Sequence, residues 1–402
     1  MTSDSGKPMR LYYFAPFDIL RSRTNQISDV RFCEGFRQNG FEVKMITPYV
    51  YRKDNLDKKR VLDYYGIEDG FSVRYLPTFF LKDISGVFNM ALVVALSFLY
   101  FLPVLLRHTF KRQEVLVISR SALILYPQLW LKKILKSRIK TVVWVHEVKK
   151  HKTYSYVYRH ADFILGTNSA ITGDIEKLYG VEAGKTGITL NPVSERQLKE
   201  ELSREEARRK IGISQQPLVV YTGKLFIGQL EARYLLEAAR QLPSYTFLFT
   251  GGKPEVVEYY KSWCYDNEVG NVLFTGYLHD YRELKNYQYA ADILVSYYTE
   301  KEHDLRYNLP QKIVEYMLTK NPIVTPEFEA TRDVLNAENA IFVEPENIAS
   351  LVSGIRKAWE DREHAQQLAQ RAYSDSRHYS FKQVIATLIN PIFNCPKRTT
   401  ST

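Results

Sequence analysis

The sequence has 402 residues, 45% hydrophobic and 25% charged, with Lys+Arg 55 against Asp+Glu 45 for a formal charge of +10. That balance describes a globular chain long enough for two cores and excludes a disordered or low-complexity protein. The basic excess favours anionic partners (nucleotides, acidic lipid headgroups or nucleic acid) without choosing among them. Cys33, Cys264 and Cys395 are odd in number and far apart, which excludes a disulfide framework and a C-x-x-C zinc site.

In chain order, Met1 to Arg10 is polar and runs straight into an apolar strand, so no cleavable signal peptide is expected. The lack of any Asn-x-Ser/Thr triplet agrees with a cytoplasmic location. Short β-branched or aromatic runs then alternate with helical patterns, as in parallel sheets built from βαβ units. The first half predicts strands at Leu11–Pro16, Glu42–Pro48, Ser72–Leu76, Glu114–Ser119, Thr141–His146, Phe163–Thr167 and Gly187–Asn191. The turn after the first of these, Pro16 to Thr24, holds no glycine and lacks G-x-G-x-x-G, which disfavours a dehydrogenase.

Val87–Leu106 stands apart: 20 residues with only Asn89, Ser97 and Pro103 outside the apolar set, long enough to cross a bilayer. It precedes Arg107, His108, Lys111 and Arg112, and later Lys132, Lys133, Lys136, Arg138 and Lys140, so an apolar element lies beside cations suited to anionic lipid. Three readings stay open: partial insertion of a monotopic protein, a fully buried helix over the first sheet, and a true span. Strands of one domain on both sides count against the span.

Gly180-Val-Glu-Ala-Gly184-Lys185-Thr186 imitates a phosphate loop but has three residues between its glycines where four are needed, and it leads into a strand. No G-x-S-x-G elbow, H-E-x-x-H helix or metal-spaced His/Asp cluster appears. The connector is expected within Pro192–Gln216, where Ser203-Arg204-Glu205-Glu206 has the capping-box form and Gly212 closes the helix. Strands are expected again at Leu218–Thr222, Thr246–Thr250, Val272–Thr275, Ile293–Tyr297, Pro322–Thr325 and Ala340–Val343, followed by helix to about Ile389 and a frayed tail.

Tyr307-Asn308-Leu309-Pro310-Gln311-Lys312-Ile313-Val314-Glu315-Tyr316-Met317 reads as a loop entering a helix. Pro310 suits the first helical position, with Asn308 or Leu309 as cap. The free amides at Gln311 and Lys312, with the Lys312 charge, would then suit a phosphate, and Glu315 the hydroxyls of a ribose. A plain helix start, with Ile313, Val314 and Met317 facing a core, is the alternative.

Tyr221-Thr222-Gly223-Lys224-Leu225, Phe247-Leu248-Phe249-Thr250-Gly251-Gly252, Phe274-Thr275-Gly276-Tyr277-Leu278, Ala290-Ala291-Asp292-Ile293-Leu294-Val295, and Leu309 to Met317 with Pro322-Ile323-Val324 follow one another in order. This order resembles the C-terminal half of family 4 of the retaining GT-B glycosyltransferases, most strongly from about residue 217 to 346. The first half matches more loosely, through its first strand and loop, Asn39-Gly40-Phe41-Glu42-Val43, and Val143-Trp144-Val145-His146-Glu147.

The resemblance implies an α/β fold of GT-B architecture, with two doubly wound Rossmann-like domains facing each other across a cleft. Residues 1–195 would bind the acceptor, 196–378 the nucleotide-sugar, and 379–402 would form a C-terminal helix packing back on the N-terminal domain, plus a tail. It places the donor-phosphate cation on Lys224, the base near the backbone of Leu278 and the ribose on Glu315. Gly223, Gly251, Tyr307, Asn308, Leu309, Pro310, Gln311 and Lys312 complete the donor side. His146 would sit beside the sugar, and Arg21, Ser22, Arg23 and Thr24 on the acceptor side. A second phosphate cation of the family falls near Gln229, neutral here, and Tyr307 stands where a glutamate is common. The implied reaction is metal-independent, cofactor-free and retaining, catalysed by His146, Lys224 and Glu315. It moves a sugar from a nucleotide diphosphate sugar to a glycan or lipid-linked acceptor at the cytoplasmic face of an anionic membrane, with no role for nucleic acid. An epimerase or phosphorylase of the same fold, an inactive membrane-associated scaffold, and a nucleic-acid binder suggested by charge alone are the alternatives.

Overall fold

The computed structural model describes residues 8–394 apart from 21–23, 51–56, 68–69, 79–85, 112, 279–280, 301–304 and 308. The chain divides at 190/191 and 380/381 into two compact units, a few residues from the boundaries read in the sequence.

The first unit runs β1 (Arg10–Phe14), α1 (Thr24–Gln38), β2 (Glu42–Tyr49), α2 (Val61–Tyr64), β3 (Ser72–Pro77), α3 (Gly86–Phe110), β4 (Val115–Ser119), α4 (Ala122–Ile134), β5 (Lys140–Val145), α5 (Lys152–His160), β6 (Phe163–Gly166), α6 (Ser169–Tyr179) and β7 (Thr186–Ile188). All strands pair in parallel in the order β3-β2-β1-β4-β5-β6-β7. Strands such as Val-Leu-Val-Ile-Ser in β4 are buried throughout because helices cover both sheet faces. The strand order reverses between β1 and β4, and ligands of such sheets gather beyond the carboxyl ends at that point. The glycine-bearing 180–186 segment is a helix end and a short turn, with Gly180 at φ +63 capping α6 and a 3-10 turn leading into β7.

α3 buries a single stripe, Val93, Ser97, Phe101, Leu105 and His108, at helical spacing. Phe101 meets Phe14 with ring centroids 6.0 Å apart, and the His108 ring lies 3.3 Å from the Tyr12 hydroxyl. Of the apolar window in Val87–Phe110, with mean hydropathy 2.2, only 22% is buried. The fully buried helix is therefore overturned: one sheet face consumes one stripe of a helix that is apolar all round.

The second unit runs α7 (Glu195–Lys199), α8 (Arg204–Ile211), β8 (Leu218–Thr222), α9 (Leu230–Gln241), β9 (Thr246–Thr250), α10 (Pro254–Asp266), β10 (Val272–Phe274), α11 (Tyr281–Ala290), β11 (Ile293–Val295), α12 (Gln311–Met317), β12 (Ile323–Pro326), β13 (Ile341–Val343), α13 (Ile348–Glu360) and α14 (Arg362–Ser376). Its parallel sheet has the order β10-β9-β8-β11-β12-β13, reversing between β8 and β11. Ser203 caps α8 through the Glu206 amide and Gly212 ends it at φ +69. Arg208 then holds Asp292 at 2.7 Å, while Asp292 accepts the Leu218 amide at 2.8 Å, fixing α8 to the start of β8. Val193 bridges to Ser380, and its amide bonds Tyr379, so residues after 190 group with this unit.

The last helix, α15 (Phe381–Asn394), belongs to the first unit and lies on α1. Gly35 permits the approach, since a Cβ there would stand 2.6 Å from Ile385 Cδ1. Asn39 donates to the carbonyls of Gly35 and Lys382, each at 2.8 Å.

Candidate functional site

In the second unit three glycine turns stack beyond the carboxyl ends of β8, β9 and β10. The Gly223 amide donates to Thr250 O at 3.3 Å and the Gly251 amide to Gly276 O at 2.8 Å. Gly251 has φ +110, and a Cβ there would stand 1.9 Å from Gly223 O, so only glycine fits. The loop after Gly223 is pinned from below: the Tyr260 hydroxyl donates to Phe226 O at 2.6 Å and accepts the Gln229 amide at 3.1 Å. Gln229 accepts the Phe226 amide at 3.3 Å through its side chain. Gln229, near which the resemblance would put a second cation, is thus buried and holds the loop shape. Lys224 is exposed on this loop.

The segment after β11 brings the remaining groups. Pro310 is the cap of α12, with ψ 127, and Gln311 is its first residue. This corrects the placement of Pro310 at the first helical position. An extended Pro310 turns its carbonyl to the Ile313 amide, 3.1 Å away, and leaves the Gln311 and Lys312 amides without an intrahelical acceptor. Leu309 is buried, and its carbonyl accepts the Asn191 side chain at 2.5 Å. Tyr307 is part-buried with the Arg306 guanidinium 5.8 Å from its ring centroid, and Asn308 lies outside the described residues. Leu278 is part-buried at the end of the β10 turn.

Lys312 is buried, not presented to solvent as an added surface charge. Its Nζ lies 3.9 Å from the Tyr221 ring centroid and 4.7 Å from that of Tyr298, and it has no hydrogen-bond partner among the described residues. A Cβ on Gly223 would stand 3.4 Å from it, so the ammonium sits directly under the first glycine turn. Burial pushes its pKa down to about 7, against the opposing pull of Glu231 and Glu315. Glu315 accepts the Gln288 side chain at 3.1 Å. The Tyr316 hydroxyl accepts the Thr222 amide at 2.9 Å and shares a second hydrogen bond with the Thr222 hydroxyl, also 2.9 Å. Gly223, Lys312 and Glu315 are thus brought together at the β8/β11 reversal.

Tyr298, Glu231 and Gln288 were not singled out in the sequence, and Tyr221 and Asn191 stood there only as members of a motif block and a strand end, with no role given to them. Glu231 alone carried a signal, as an acid in the first turn of an otherwise apolar stripe, Ala232, Leu235, Leu236 and Ala239.

In the first unit His146 follows β5, its ring centroid 4.6 Å from that of Trp144. Its Nε2 is buried without a hydrogen-bond partner among the described residues. Burial, and then the charge of Arg120, hold its pKa well below the usual imidazole value, so the ring is neutral. Arg120, just after β4, pairs with Asp29 of α1 at 2.9 Å, and Asp29 also accepts the Tyr13 hydroxyl at 2.7 Å. Burial raises the Asp29 pKa, while Arg120 and Tyr13 oppose the rise. This buried trio at the β1/β4 reversal was missed, because Asp29 and Arg120 belong to no motif. Arg21, Ser22 and Arg23 lie outside the described residues, as does the side chain of Thr24. Among the described residues no three His, Cys, Asp or Glu side chains gather as a metal site.

Residues 216–361 match the family model Glycosyl transferases group 1. The whole chain resembles Anabaena HepE in complex with UDP, at 16% identity and TM-score 0.67 over 95% of this chain and 100% of that one. Sucrose-phosphate synthase from Thermosynechococcus elongatus gives 15% identity and TM-score 0.72 over 96% and 100%. The lipopolysaccharide outer core galactosyltransferase WaaB gives 14% and 0.68 over 96% and 99%. No curated protein matches by sequence. At these identities the likeness is one of fold, and that fold is the α/β GT-B arrangement of two parallel-sheet units.

Proposed function

We propose that this protein is a glycosyltransferase that moves a sugar from a nucleotide diphosphate sugar to a glycan or lipid-linked acceptor, with retained anomeric configuration and without a metal. The reading is carried by the cluster of Gly223, Lys312 and Glu315 at the β8/β11 reversal, within the segment that matches Glycosyl transferases group 1. HepE is described with UDP, which makes a uridine diphosphate sugar the first donor to test.

In this reading the bond from the anomeric carbon to the diphosphate oxygen breaks, an acceptor oxygen bonds to the same face, and the acceptor proton leaves to solvent. The main task is to stabilise charge on the departing diphosphate. Lys224 meets it from the exposed loop and Lys312 from beneath Gly223, with the Gln311 amide as a further donor. Glu315, oriented by Gln288, takes the ribose hydroxyls, and the backbone near Leu278 borders the base. Tyr307 replaces a carboxylate near the sugar, so sugar selection rests on other groups. His146, neutral and beside Arg120, belongs to the acceptor side. The exposed apolar surface of α3 and the cations near its end support work at the cytoplasmic face of an anionic membrane.

The test has two stages. A panel of nucleotide-sugars is screened for thermal stabilisation, since a ligand that binds only the native state raises its apparent stability. Lys224→Ala and Glu315→Ala are then assayed for transfer with the donor found. Stabilisation by one donor and loss of transfer in both variants are expected; unchanged turnover in either variant would sink the assignment.

A further inference from the structure

α3 and α4, with the first turn of α5, border an open surface groove of about 700 Å3, within the size range of ligand sites. Met90, Val94 and Phe98 line it from α3, Leu123 and Tyr126 from α4, and Thr153 from the first turn of α5. Val87 at its rim, and Phe88, Leu99, Trp130 and Ile134 on the same two helices, are half or more exposed. In a βαβ unit the helix following a strand begins at that strand's carboxyl end. The groove, lined by the first halves of these helices, therefore lies toward the sheet edge that carries Arg120 and His146.

At this end the chain places Lys149-Lys150-His151-Lys152 immediately before Thr153. Lys149 pairs with Glu147 at 3.4 Å, and the His151 side chain accepts the Thr153 amide at 3.3 Å. Lys150 and Lys152 are exposed and have no acidic partner among the described residues. An apolar trough with two unpaired ammonium groups on the residues that lead into its Thr153 wall has the chemistry of a single amphiphile, a hydrocarbon chain ending in phosphate. A second copy of this chain, with the same basic run and a formal charge of +10, is electrostatically the poorer occupant.

We propose that the groove between α3, α4 and α5 holds the hydrocarbon chain of a lipid phosphate whose headgroup lies against Lys150 and Lys152. The assignment rests on reading the first unit as the acceptor side, and it names the acceptor class: a lipid-anchored phosphate drawn from the bilayer. The exposed length of α3 lies against the membrane while one chain leaves the bilayer for the groove.

The experiment measures binding of farnesyl phosphate to the full-length protein below its micelle concentration, beside farnesol and inorganic phosphate. Farnesyl phosphate is expected to bind well above both. Ala91→Trp and Ala95→Trp fill the trough from exposed positions, so folding is not at stake. Each is expected to weaken binding about ten-fold, the equivalent of two displaced methylenes. Lys150→Gln and Lys152→Gln are expected to weaken it roughly five-fold each and to flatten its salt dependence. Binding untouched by the tryptophans, equal binding of farnesol, or adsorption to anionic vesicles with no binding of soluble farnesyl phosphate would each overturn the proposal. Stabilisation by nucleotide-sugars is read in the same variants. Farnesyl phosphate binding without any donor binding would defeat the donor reading and leave the groove assignment standing.

Discussion

Replacing Lys312 with methionine isolates a buried ammonium from every other feature of the second unit. The drop of its pKa from 10.5 to about 7, at about 1.4 kcal/mol per tenfold change in proton affinity, makes the charged form about 5 kcal/mol less favourable in place than in water. Between pH 7 and 10.5 the unfolded chain holds the proton that the folded chain has released, so stability of the native protein rises with pH across this window. At or below pH 7 the penalty is complete. Lys312→Met is close in volume and removes it, at the loss of the contacts with Tyr221 and Tyr298, worth about 2 kcal/mol. The variant is therefore expected to be about 3 kcal/mol more stable at pH 7, or roughly 6–12 °C in the melting of this unit. The gain shrinks toward zero near pH 10. Thermal unfolding of both proteins across that range is the assay. A variant less stable at pH 7, or a difference that ignores pH, would refute the argument. The same charge links to the donor: a diphosphate raises the Lys312 pKa, so binding takes up a proton and weakens as pH rises above 7. Calorimetry in buffers of different ionisation enthalpy reads that proton directly, and Lys312→Met abolishes it.

Three further outcomes follow from the geometry. Gly251→Ala drives a methyl group to 1.9 Å from Gly223 O at a φ of +110; a loss of more than about 3 kcal/mol in denaturant unfolding is expected, with donor binding lost as well. Asp29→Ala leaves the Arg120 guanidinium buried without its carboxylate and should cost about 3–5 kcal/mol, whereas an effect below 1 kcal/mol would show the pair to be solvated. The His146 ring, held neutral by burial and by Arg120, is expected to show no NMR titration on lowering the pH through the ordinary imidazole value; a midpoint near 6.5 would contradict its placement.

Much of this protein could be read from local patterns. Central parallel strands buried on both faces, such as β4, β6 and β11, are nearly continuous apolar runs and left a clear mark in the sequence. Ser203 and Gly212 announced the ends of α8 because caps are chosen by the backbone geometry of a few adjacent residues. The glycine turns entered through the order of the motif blocks and the resemblance they carry, and Lys312 and Glu315 through the helix start after Pro310, because spacing within one turn or one helix is local. Pro310 was misplaced by one position, because a proline is equally at home as cap and as first helical residue until its ψ is known.

What tertiary structure decided is the environment of those residues. Whether Lys312 is a surface charge or a buried ammonium depends on Tyr221 and Tyr298, which are 91 and 14 positions away along the chain. Whether Gln229 is a lost ligand or a brace for its loop depends on Tyr260 from another helix. Asp29, Arg120 and Tyr13 come from a helix, the turn after β4 and a strand, and nothing local marks them as a cluster. The apolar composition of α3 was evident in the sequence, but only the packing of one stripe on the sheet shows how much of that surface is left over. Composition and spacing record what a residue is and what lies within one turn of it, whereas burial, and with it charge state, is a property of segments that meet only on folding.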